Sequence, residues 1–103
     1  MKEQSNYTFN CTLYHNHQVI CIHPALICKL LRFFIKSGNK RAYTIKEIAK
    51  KINKPRGDVQ LGMHVLCSNL YVMRLGERGP WMPSMSDYKD MMTKVIEELG
   101  DVR

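Results

Sequence analysis

The sequence predicts a single small α+β domain organised around two short helices that are joined by a tight turn and followed at once by a β-hairpin. Three observations carry this reading. Thr44 and Glu47 stand at capping-box spacing at the head of an apolar repeat of helical period. Asn53-Lys54-Pro55 ends that repeat and opens another, because proline biases the residue before it away from the helical region and suits a first helical turn. A β-rich run from Tyr71 to Leu75 then meets the turn signal Gly76-Glu77-Arg78-Gly79 and a short return at Trp81-Met82. A chain of 103 residues is one domain with a modest core.

Taken in order, residues 7–22 predict an extra N-terminal hairpin: Tyr7 to Tyr14 and Gln18 to Ile22 are β-rich around His15-Asn16-His17, and Asn16 suits the positive φ of the turn. It either extends the sheet or covers a neighbouring subunit. Cys11, His15, His17, Cys21, His23 and Cys28 fall close together here, the ligand types zinc prefers. No CxxC or HxxxH pair is present, however, and in a strand Cys11 would lie about 13 Å from His15. These cysteines read as small apolar side chains, and neither a metal, a cofactor nor a catalytic residue is expected.

A helix over 24–37 follows, with Pro24 at its first position and Gly38 as its C-cap. Only Lys29, Arg32 and Lys36 interrupt its apolar surface, so it must be covered on more than one side. Arg41-Ala42-Tyr43 reads as a short strand able to pair with the later hairpin. In the helix over 44–53, Ile45, Ile48, Ala49 and Ile52 form the apolar face opposite Lys46, Lys50 and Lys51. In the helix over 56–69, Val59, Met63, Leu66 and Leu70 form the buried stripe. Gly57, Gln60, Leu61, His64 and Ser68 lie opposite, and Gly62 costs about 1 kcal/mol of helix propensity. The second hairpin spans 70–83. A C-terminal helix over 86–99 is expected to be capped by Ser86, with Asp87 and Asp90 favouring its dipole. Its stripe of Tyr88, Met92, Val95 and Leu99 is too short for a stable coiled coil alone and must lean on its own domain or on a twofold mate.

The run TIKEIAKKIN and the run LYVMRLGERGPWM together resemble winged helix-turn-helix transcription regulators over roughly residues 25–83. Lys54 and Gly62 depart from the usual pattern. The stretch from RGPWM into MTKVIEEL is also weakly similar to bacterial iron–sulfur and nitric-oxide-sensing regulators, but no cysteine follows Cys67, so no cluster is implied. The main resemblance implies a winged helix-turn-helix with an extra N-terminal β-hairpin and a C-terminal helix. It implies a sequence-specific DNA-binding regulator rather than an enzyme. The second motif helix would enter the major groove with Arg56, Gln60 and His64 toward base edges. Lys46, Lys50, Lys51 and Lys54 would meet phosphates, and Arg74 and Arg78 on the wing would meet the backbone or minor groove.

Charge agrees with that implication. The net charge is +7, and ten of the sixteen Lys and Arg lie between Lys29 and Arg56 beside a single acid, Glu47. Such a block is the electrostatic footprint of a nucleic-acid binder. The alternative is a protein-interaction module whose basic face docks a polymerase, a nuclease or another regulator. With a polar N-terminus and no long apolar run, the expected location is cytoplasmic and nucleoid-associated, with reduced thiols. Palindromic half-sites favour a homodimer through Tyr88, Met92, Val95 and Leu99.

Overall fold

A computed structural model of the chain describes residues 9–77 and 79–100. In it, four helices and two small antiparallel sheets share one core. Strands β1 (Thr12–His15) and β2 (Gln18–Cys21) pair in the register Thr12↔Cys21 to His15↔Gln18. Asn16 and His17 connect them with φ of 51° and 63°. Two successive left-handed residues give a two-residue turn whose twist matches that of the strands. Asn16 fulfils its expectation, and His17 adopts the same conformation.

This hairpin forms a sheet of its own rather than extending the second one. Leu13 and Ile20, directly opposite each other, pack on the core, while Tyr14 and Val19, the next pair, are each 69% exposed. Its root is tied down by Phe9, which is buried and stacked on Tyr71 at 5.5 Å. Asn69 Nδ2 also donates to the Asn10 carbonyl at 2.9 Å.

Helix α1 (Pro24–Ser37) begins where His23 Nδ1 accepts from the Ala25 amide, and ends at Gly38, which has φ of 83°. Ile27, Cys28, Leu30, Leu31, Phe33 and Phe34 are all buried. The cover demanded by its apolar circumference comes from within the chain. Helices α2 (Ile45–Ile52), α3 (Arg56–Ser68) and α4 (Tyr88–Glu98) all pack on α1. Tyr88, Met92 and Val95 are consequently buried in their own domain. The stripe expected to pair two subunits thus leans on α1 of its own chain through Tyr88, Met92 and Val95, while Leu99 and the flanking Met91 and Ile96 stay partly exposed. The first residue of that helix also shifts. Asp87, not Ser86, occupies the N-cap position, and it makes no side-chain capping bond.

At α2 the capping box is complete: the Glu47 amide donates to Thr44 Oγ1 at 3.1 Å, and the Thr44 amide donates to Glu47 Oε1 at 2.9 Å. Asn53, in the left-handed region, closes the helix and turns the chain toward α3. On α3 the buried residues are Val59, Gly62, Met63, Val65 and Leu66. Leu70 is not among them, contrary to the periodicity. The helix ends at Ser68, and Leu70, with φ of 69°, points outward and is 72% exposed. Gly62 has a packing reason: a Cβ there would overlap Leu30 Cδ1, so glycine lets α3 approach α1 closely.

Strands β3 (Val72–Arg74) and β4 (Trp81–Pro83) form the second hairpin. Tyr43 bridges to its edge, exchanging two backbone hydrogen bonds of 2.7 Å with Trp81, so that of the short strand expected at 41–43 one residue pairs, as an isolated bridge. No described helix is long and apolar enough to cross a membrane.

Candidate functional site

Helix α3 shows one face to solvent, and the chain builds a wall on each side of it. Successive residues of a helix turn by about 100°, so Arg56, Gln60 and His64 project together while Val59, Met63 and Leu66 point inward. On one side a concavity of about 470 Å³ runs from Lys46 past Arg56, Gln60 and His64 to Arg74 and Trp81. On the other, a concavity of about 470 Å³ lies between Gln60, Leu61 and His64 of α3 and Leu13 and Tyr14 of β1. A third, about 520 Å³, continues the surface around the turn between α2 and α3, lined by Lys46, Lys50, Lys54 and Arg56.

Trp81 holds the first wall in place. Its side chain is 3% exposed, its backbone is paired to Tyr43, and its ring meets His64 edge-on at 5.6 Å. The Arg74 guanidinium lies 5.3 Å from the centre of the same ring, within cation–π range. Arg74 and Trp81 are direct cross-strand partners, which is how the register brings them together. The turn beyond them is closed by the Leu75 amide donating to the Pro80 carbonyl at 2.9 Å. Gly79 is needed there because a Cβ would run into the Leu75 carbonyl.

Of the residues the sequence marked, Lys46, Lys50, Lys54, Arg56, Gln60 and Arg74 are exposed and converge on the α3 face and its borders. His64 is half-buried and leans on Trp81, so it serves the junction of α3 with the hairpin as well as the open face. Lys51 does not join the others. One residue after Lys50 is a quarter-turn around the helix, and Lys51 faces α1 instead, alongside Lys29, Arg32 and Lys36. Arg78 lies outside the described residues. Leu61, out of place on a polar face, packs against the core and lines the β1 side. Glu77 is the acid in the Arg74 concavity.

Sequence reasoning missed the platform role of Trp81, which depends on the register that sets it opposite Arg74, and missed Tyr14, whose position beside α3 no local signal reveals. It also missed that Arg41 is already engaged. Its guanidinium sits 4.0 Å from the centre of the Tyr43 ring and bonds Glu47 Oε2 at 3.1 Å. The Thr44 amide, and after it the Arg41 guanidinium, hold the Glu47 carboxyl below the usual glutamate range. Burial, and then the neighbouring Cys21, pushes the Cys11 thiol up. Among the described residues no three His, Cys, Asp or Glu gather as a metal site. Compared with known proteins, the chain matches no family model, no curated protein and no solved structure.

Proposed function

We propose that the chain is a winged helix-turn-helix protein that binds double-stranded DNA sequence-specifically and regulates transcription without chemistry of its own. The observation that carries this reading is the convergence of Lys46, Lys50, Lys54, Arg56 and Arg74 around the one open face of α3. B-DNA's major groove is about 12 Å wide and admits one α-helix. With α3 in it, Arg56 and Gln60 reach base edges, arginine suiting guanine O6 and N7 and glutamine suiting adenine N6 and N7. Lys46, Lys50 and Lys54 border the helix on the α2 side, where phosphates would run, and fix register rather than sequence. Arg74, braced on Trp81, extends the contact from the β3–β4 wing to the backbone or minor groove.

Selection of bound sequences from random duplex DNA tests this. Wild-type protein should enrich one motif. Arg56→Ala and Gln60→Ala should each relax it at a different position, at about 1–3 kcal/mol for each bidentate base pairing removed. Absence of enrichment, with both variants behaving as wild type, would reject the reading.

A further inference from the structure

A second cationic surface lies away from α3. Between the outer face of α1 and the last turn of α2 runs a trough of about 890 Å³. Its floor is apolar, formed by exposed Ala25, half-buried Ile52 and the small part of Phe33 that reaches the surface, and its rim is basic, formed by Lys29, Arg32, Lys36 and Lys51. No acidic side chain lines it, and Lys29, Lys36 and Lys51 have no acidic partner among the described residues. Surfaces that serve only solubility interleave both signs. Like charges on one helix stripe are mildly destabilising, a cost that an anionic ligand removes.

The geometry narrows the ligand. Lys29, Arg32 and Lys36 succeed one another at about one per turn, over roughly 10 Å of helix axis. Lys29 and Lys36, two turns apart, match the spacing at which carboxylates at i and i+7 recur on a second helix laid alongside. A phosphodiester backbone matches the charge but brings no apolar surface for Ala25 and Ile52. A small organic anion fits poorly in an open trough, since small-molecule sites enclose most of their ligand. An acidic amphipathic helix satisfies both features, with carboxylates on the rim and an apolar seam on the floor. We propose that this trough docks an acidic amphipathic helix of a protein partner, and that it does so independently of the α3 face. The inference does not rest on DNA binding.

The test uses the full chain and a fluorescein-labelled helical peptide of about four turns, with glutamates along one edge and leucines along the adjoining seam. A peptide of the same composition, permuted to lack the seam, is the control. Anisotropy should show saturable binding of the first peptide, at least about tenfold tighter than the second, and amide shifts should centre on Lys29, Phe33, Lys36 and Ile52. The double change Lys29→Glu with Lys36→Glu, both exposed, should preserve the thermal transition and weaken peptide binding by about tenfold or more. Lys46→Glu with Lys50→Glu, on the opposite edge of α2, should leave it within about twofold. Equal binding of the two peptides, shifts centred on α3, or no binding at millimolar peptide would overturn the proposal. So would a flatter salt dependence of duplex binding in the Lys29/Lys36 variant, which would assign the trough to nucleic acid.

Discussion

The β1–β2 and β3–β4 hairpins flank the same face of α3, yet between Phe9 and Ile22 there is no Lys, Arg, Asp or Glu, while the other hairpin lays Arg74 over Trp81. Both are short antiparallel pairs with a positive φ in the turn. They differ in how they are anchored. The first is held at its root by Phe9 on Tyr71 and by Asn69, and just beyond it by Leu13 and Ile20 on the core, and leaves Tyr14 and Val19 exposed. The second is held at the turn end of its ladder, because Trp81 is at once a core residue, the partner of Tyr43 and the platform for Arg74 and His64. A strand pair anchored beside its turn can hold a charged side chain at a fixed place beside a helix, and one anchored toward its root supports the helix flank instead.

Removing each anchor separates the two roles. Trp81→Ala should have the largest effect, about 3–5 kcal/mol in urea denaturation, because a buried indole leaves a cavity and frees both Arg74 and His64. Trp81→Phe, which keeps a ring for both, should recover most of the duplex affinity that the alanine variant forfeits. Phe9→Ala should cost about 3 kcal/mol yet leave duplex affinity within about twofold wherever the protein remains folded. If it weakened binding as much as Trp81→Ala does, the two hairpins would share one role.

The turns differ in the same way. Gly79→Ala should cost about 1–3 kcal/mol and reduce duplex affinity, since the new Cβ and the Leu75 carbonyl cannot occupy the same place. At the other turn His17→Gly should stabilise the protein by about 0.5–1 kcal/mol in thermal denaturation, because glycine adopts the left-handed conformation without steric cost. Destabilisation there would mean that the edge contact of His17 with Tyr14 outweighs the backbone gain.

The smallest effect is a pH dependence confined to the β3–β4 side, where Glu47 caps α2 and holds Arg41 against Tyr43. A carboxyl whose folded pKa is depressed contributes stability that is present above its unfolded pKa and is lost as pH falls through the folded value. Wild type should therefore exceed Glu47→Gln in melting temperature at neutral pH, and the gap should close as pH falls below the usual glutamate range. A gap that stayed constant through acid would show that the carboxylate charge is irrelevant there.

Helix existence was legible because the caps are written in the chain: His23-Pro24, Gly38, Thr44 with Glu47, and Asn53 all act as their residue types dictate. Misreadings arose where a one-dimensional pattern outran the element that carries it. Leu70 continues the apolar repeat of α3 but falls after the helix has ended, where φ changes sign. Lys51 belongs to the basic run in sequence but to α1 in space, because charge density along a chain ignores the angular position of each residue. The stripe of α4 announced burial without naming its partner, since periodicity is the same whether a helix packs on its own domain or on another. Trp81 was legible as a strand residue but not as a platform, which requires Tyr43, His64 and Arg74 to meet from three separate elements.

If α3 reads the major groove, duplex DNA meets the α3 edge of α2 and not its α1 edge. Salt titration of binding to random duplex tests this directly, comparing wild type with two triple variants, Lys46, Lys50 and Lys54 to Gln and Lys29, Lys36 and Lys51 to Gln. Net charge changes equally in both. The first triple should flatten the logarithmic salt slope by roughly 2.7, about 0.9 for each phosphate no longer neutralised, and the second should leave it unchanged. Equal flattening by both triples, or duplex binding with no dependence on salt, would contradict the account.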